Sequence, residues 1–193
     1  TGVQTCALPI FILGNGDFCP SASVVFKKTL LSKMPDFYFN SFIGDYPLQI
    51  FGSLNGGVLY LPDCMSAYRS NIDGSWSQKQ NNFNVNFENS LKFNDLLNKI
   101  NNYLNFKYKR EIKSRIVKNN YNIFKMFKNT SKDDIYNYEN IEKIIYKNKP
   151  QRLDVFLSTF LKLKSYIRTG QFYDLFNNKF ILNKRIKSFK DLF

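Results

Sequence analysis

The sequence of 193 residues contains no histidine. That excludes a Ser-His-Asp or Cys-His relay and any zinc site built on imidazole. Cysteine is scarce. Cys6, Cys19 and Cys64 are widely spaced and form no Cys-x-x-Cys pair. Such usage fits no disulfide framework and points to a reducing compartment. No window of 18 apolar residues occurs, so the sequence offers no membrane-spanning helix. Beyond position 78 glycine and proline almost vanish, with Pro150 and Gly170 alone remaining. Acidic residues are few: 15 Asp+Glu stand against 28 Lys+Arg, a net charge of +13. With 44% hydrophobic and 22% charged residues, the chain is nonetheless composed to fold.

The charge is unevenly placed. Residues 1–77 hold four cations (Lys27, Lys28, Lys33, Arg69) and five acids (Asp17, Asp36, Asp45, Asp63, Asp73), so the remaining 116 residues carry +14. A near-neutral head is therefore expected to join a basic tail at about Ser77. The first ten residues, TGVQTCALPI, have no charged start and too short an apolar run for a secretory leader. They resemble the translation of a sequencing-library adapter. Residues 1–10 are therefore expected to be an artefact fused to a reading frame whose natural protein continues N-terminally.

Local signals divide the rest. Short apolar runs at 11–13, 21–26, 58–61 and 65–70 read as strands. Residues 27–33 read as one or two helical turns, and 34–43 as an irregular aromatic stretch. Residues 45–54 read as a helix, with Asp45 as N-cap, Pro47 in its first turn and Asn55-Gly56-Gly57 as its stop. Residues 71–77 read as a loop. In the tail, Leu91, Leu96, Leu97, Ile100 and Leu104 recur near helical spacing, as do Ile112, Ile116, Ile123 and Phe127. The stretch 131–134 resembles a capping box opening a helix with Ile135, Tyr138, Ile141 and Ile145 on one face. Pro150 opens another, with Leu153, Phe156, Leu157, Phe160 and Leu161 on its face.

The stretches SASVVFKK (21–28), IGDYPLQIFGSLNGGVLYLPD (43–63), MSAYRSN (65–71) and GSWS (74–77) together resemble the acceptor half of a family 2 inverting glycosyltransferase. The resemblance implies an α/β fold: an incomplete A-type glycosyltransferase domain over 11–77, followed by a basic α-helical extension over 78–193. It implies transfer of a sugar from a nucleoside-diphosphate donor to a hydroxyl of a saccharide or lipid-linked acceptor, in cell-surface polysaccharide or glycan synthesis of bacterial type. Asp45 stands at the family's acidic pair, Gly44-Asp45 here, and would be the catalytic base. Inversion needs a group to take the acceptor hydroxyl proton as the anomeric carbon is attacked. The positive end of a helix stabilises a carboxylate in that place. A plain helix cap remains the other reading of Asp45.

Trp76 would stack on a sugar face, or simply anchor its loop. Arg69 would contact the diphosphate or brace Asp45, or form an ordinary ion pair. Ser75 and Ser23 complete the substrate-binding set. The family's histidine after its Tyr-Arg element is replaced by Asn71, a weak metal ligand. The Asp-x-Asp motif that holds Mn or Mg on the donor diphosphate is absent before Asp45, so the main ligands of that divalent metal are expected outside this chain. The chain alone is then expected to be inactive.

The tail admits other partners. Lys107-Tyr108-Lys109-Arg110 and Lys184-Arg185-Ile186-Lys187 suit peripheral attachment to anionic lipid. That fits a cytoplasmic enzyme on the inner face of the membrane. Interleaved Tyr and Phe also suit nucleic acid, but no recognition signature accompanies them. The competing reading of the whole chain is a non-catalytic basic helical module binding anionic membrane or nucleic acid.

Overall fold

The computed structural model describes residues 3–4, 8–14, 23–54, 58–59 and 72–168. Its centre is an antiparallel helix pair, α5 (Phe83–Tyr103) and α6 (Lys109–Lys128). In α5, Phe83, Phe87, Ser90, Phe93, Leu96, Leu97 and Ile100 are buried, a stripe at helical spacing. Asn82 caps the helix, its side chain accepting from the Val85 N–H at 3.2 Å. The end is a Schellman turn. Asn105 (φ 49°) donates to the Asn102 carbonyl, and Phe106 (φ 60°) donates to that of Asn101. These bonds turn the chain into α6.

Four short elements pack on the pair from the N-terminal side. They are α1 (Leu8–Leu13), a 3₁₀ turn at Lys28–Lys33, α2 (Asp36–Phe39) and α3 (Asp45–Ser53). One core joins Leu8, Phe11 and Ile12 of α1 with Tyr46, Ile50 and Phe51 of α3, Leu97 and Ile100 of α5, and Ile112 of α6. This core crosses the change in composition at Ser77. A second core lies at the far end of the pair. There Phe83, Phe87, Ile123 and Phe127 meet Ile135 and, from α7 (Tyr138–Lys147), Ile141 and Ile145. Finally α8 (Arg152–Arg168) lies along α6, held by a buried serine pair. Ser114 Oγ and Ser158 Oγ are 2.7 Å apart, and Ser158 Oγ also donates to the Ser114 carbonyl at 3.0 Å.

The expected α/β architecture over 11–77 is not found. Strand pairing among the described residues is limited to two residues on each side, β1 (Val3–Gln4) antiparallel to β2 (Val58–Leu59). The molecule is helical, and no A-type glycosyltransferase sheet is formed. The reasons are local. Phe11, Ile12 and Leu13 are a run too short for periodicity to separate strand from helix. Read together with Leu8, the spacing 8, 11, 12 is helical, and these residues bury as α1. Residues 24–27 have no regular structure, and Val25 is 97% exposed. A β-branched run without a neighbouring strand leaves its backbone groups unpaired, so propensity alone does not make it a strand. Residues 65–70, the last expected strand, lie outside the described residues, as does the Asn55-Gly56-Gly57 stop.

Two other expectations are corrected. The aromatic stretch 34–43 contains α2, whose Phe37 and Tyr38 rings pack on Phe51. The capping box at 131–134 does not form, because Ser131 makes no side-chain cap bond. Lys132–Asp134 is a 3₁₀ turn, and α7 begins only after Asn137 in the left-handed conformation. Among the described residues no helix is long and apolar enough to cross a membrane.

Candidate functional site

Asp45 is the first residue of α3 rather than its N-cap. Gly44 takes the cap position, and its carbonyl accepts from the Leu48 N–H at 3.1 Å. The Asp45 carboxylate is half-buried, and its Oδ1 accepts from the Tyr46 N–H at 2.8 Å. It therefore satisfies one of the free donors of the first turn and leaves its other oxygen for a further partner.

What holds this carboxylate in place is the residue after it. Tyr46 is 1% exposed and turns inward, and its hydroxyl donates to the Ile12 carbonyl at 2.9 Å. Burial pushes the Tyr46 phenol well above its ordinary range, while the neighbouring Arg115 guanidinium opposes that shift by its charge and by hydrogen bonding. Arg115 is itself buried, stacked over the Phe93 ring at 4.9 Å. Neither residue stands out in a reading for catalytic motifs. The available signal was Arg115 lying three residues after Ile112 and one before Ile116, a cation inside an apolar helical stripe.

Trp76 is the first residue of α4 (Trp76–Lys79), so the expected loop 71–77 ends one turn early. Ser75 is the helix cap, its Oγ accepting from the Gln78 N–H at 3.3 Å. Gln78 braces the turn ahead of it. Its Oε1 accepts from the Gly74 N–H at 2.6 Å, and its Nε2 donates to Asp73 Oδ1 at 2.8 Å. Gly74 has φ +77°, a conformation suited to glycine. Ser75-x-x-Gln78 is thus the capping-box pattern that does form. The Trp76 ring lies 6.3 Å from that of Phe42, tilted by 37°, and is 48% exposed. This contact brings the Gly-Ser-Trp segment against the loop that leads into Asp45, with Phe42 three positions ahead of the carboxylate.

The other expected site residues are less closely placed. Ser23 is half-buried, just ahead of the irregular stretch 24–27. Arg69 and Asn71 lie outside the described residues. Among the described residues no group of three His, Cys, Asp or Glu side chains converges as a metal site, so they do not fit a divalent ion. A cavity of about 30 Å³ opens between α6 and α8, lined by Leu13, Ser114, Arg115, Lys118, Ser158 and Thr159. It suits one or two waters and is far below the ~300 Å³ or more of a small-molecule pocket. Comparison with protein-family models, curated proteins and solved structures finds no match to this chain.

Proposed function

We propose that the chain supplies the acceptor side of an inverting glycosyltransferase, with Asp45 as the base and Trp76 as a platform for a sugar ring. The observation that carries the reading is the packing of Trp76 on Phe42 beside the start of α3. Two segments of the glycosyltransferase-like pattern, 30 positions apart, meet there with half of an indole face open. A pyranose presents an apolar face that stacks on such a ring.

In the step proposed, an acceptor hydroxyl attacks the anomeric carbon of a nucleoside-diphosphate sugar. The new glycosidic C–O bond forms on one face as the C–O bond to the diphosphate breaks on the other. The hydroxyl proton passes to the Asp45 carboxylate, and the nucleoside diphosphate leaves. Tyr46, anchored to Ile12, would hold the carboxylate still while Ser75 and Gln78 fix the Trp76 turn. Ser23, Arg69 and Asn71 would complete the substrate contacts. The divalent ion that serves the donor diphosphate in such transfers would take its main ligands from elsewhere in the parent enzyme.

The test is nucleoside-diphosphate release by the parent enzyme across a panel of donor sugars. Asp45→Asn is expected to lower kcat by about 10²–10⁴-fold with an unchanged circular-dichroism spectrum. Trp76→Ala is expected to raise the acceptor KM with a smaller effect on kcat. The 193-residue chain by itself is expected to release none. Full turnover by Asp45→Asn would sink the assignment.

A further inference from the structure

Helix α8 is mounted with its small residues inward and its large ones outward. Ser158 is buried against Ser114, whereas Leu153, Phe156, Leu157 and Phe160 are 64%, 61%, 47% and 54% exposed. Their spacing of i, i+3, i+4 and i+7 makes a single stripe along the helix. A stripe of four large apolar side chains facing water marks a surface that something else covers. The side of α8 facing α6 cannot accommodate them, because the serine pair draws the two backbones close together.

Chain length and sequence pattern point to the occupant. Two positions beyond the end of α8 stands Gly170, a residue suited to ending a helix and reversing the chain. Residues 171–193 follow, 23 in all, with Phe172, Leu175, Phe176, Phe180, Ile186 and Phe189 recurring near helical spacing. Running back from Arg168 to Leu153 takes 15 residues of helix, about 22 Å at 1.5 Å per residue, and 23 residues span about 34 Å. The segment is therefore long enough to reach the whole stripe, and its tether keeps it at an effective concentration on the order of millimolar.

We propose that residues 171–193 fold back antiparallel to α8 and cover the Leu153, Phe156, Leu157 and Phe160 stripe, closing a helical hairpin about Gly170. The stripe is then an internal docking surface of the chain and not a site for a second molecule. This inference stands apart from the glycosyltransferase reading and survives its failure.

Thiol labelling tests it. Leu157→Cys and, as an exposed reference, Lys143→Cys are each placed in the full chain and reacted with N-ethylmaleimide, with peptide mass spectrometry reading each site. Cys at 157 is expected to react at least about tenfold more slowly than Cys at 143, at every protein concentration. The rates are expected to converge when the chain stops at Gly170. They should converge equally in the full-length double variant Phe176→Asp, Phe180→Asp, which keeps the test valid if the shortened chain folds poorly. Equal rates in the full chain overturn the proposal, as does slow labelling that persists in both variants. Protection that grows with protein concentration identifies a second copy as the occupant and overturns it. Protection seen only with phosphatidylglycerol vesicles identifies an anionic lipid surface and overturns it too.

Discussion

At the scale of single residues, Tyr46 links the candidate site to the core. Its hydroxyl donates to Ile12, its ring packs 5.1 Å from Phe93, and its neighbour in sequence is Asp45. Tyr46→Phe keeps the ring but leaves a buried carbonyl without its donor, which is expected to cost about 1–3 kcal/mol. The same hydroxyl shapes the alkaline stability. The folded state holds the phenol protonated to higher pH than the unfolded chain does. Above about pH 10 the unfolded state therefore binds fewer protons, and stability falls as pH rises. Tyr46→Phe is expected to be less stable at pH 7 yet to lose less on going from pH 9 to pH 11. Urea unfolding midpoints across that range measure both effects, and parallel curves for the two proteins would contradict the burial argument.

At the scale of elements, the serine pair decides how α8 sits. Ser158→Ala removes a hydrogen-bonding partner of Ser114 and is expected to cost about 1 kcal/mol. Ser158→Leu inserts a branched side chain where the helices approach closest, and overpacking of this kind costs about 1–3 kcal/mol in addition. Hydrogen exchange should localise the loss: amides of α8 are expected to open before those of α5. Uniform acceleration across both helices would contradict a local role for the pair. Asparagine does comparable work between α5 and α6. Asn119 Nδ2 donates to Ser90 Oγ at 2.8 Å and to Asn94 Oδ1 at 2.9 Å, and Asn94 Nδ2 donates to Asn120 Oδ1 at 2.7 Å. Farther along α5, Asn84 accepts from the Tyr136 N–H and donates to the Asp134 carbonyl, standing in for a backbone neighbour. Asn-rich composition thus includes a set of specific interhelical bonds.

Across elements, legibility follows how local the deciding interactions are. The α3 reading over 45–54 matches Asp45–Ser53 closely, because Pro47 in the first turn and the apolar positions 46, 50 and 51 are local signals. The buried faces of α5 and α6 were largely readable for the same reason, though Leu91 proves 42% exposed. Periodicity shows that Leu153, Phe156, Leu157 and Phe160 share a face, but not which way that face turns. The orientation was set by Ser114 and Ser158, 44 positions apart. The expected strands failed at the same point, since a strand exists only with a partner, and pairing is a property of distant segments. Of the candidate site, the types and order of residues were legible. The Trp76–Phe42 contact and the Tyr46 anchor depend on tertiary packing and were not.

For the whole molecule, the balance of charge sets the response to salt. The chain carries +13, and the ion pairs found among the described residues are two exposed i,i+4 contacts, Lys92–Glu88 at 4.0 Å and Lys99–Asp95 at 2.7 Å. Exposed pairs of this type contribute only about 0.3–0.5 kcal/mol each. Several lysines instead lie over aromatic rings, as Lys132 does over Tyr138 at 4.9 Å and Lys149 over Phe124 at 4.8 Å. These contacts hold cations near one another without neutralising them. Folding therefore gathers like charges that the unfolded chain keeps apart, and that repulsion opposes the compact state. Screening shortens its reach from about 30 Å at 0.01 M salt to about 8 Å at 0.15 M. Added sodium chloride is expected to raise Tm over this range, because relief of repulsion outweighs the loss of two weak ion pairs. Differential scanning calorimetry at fixed pH measures the slope. A Tm that falls with salt would mean that attractive pairs dominate, and the excess of cations would then be balanced by contacts outside the described residues.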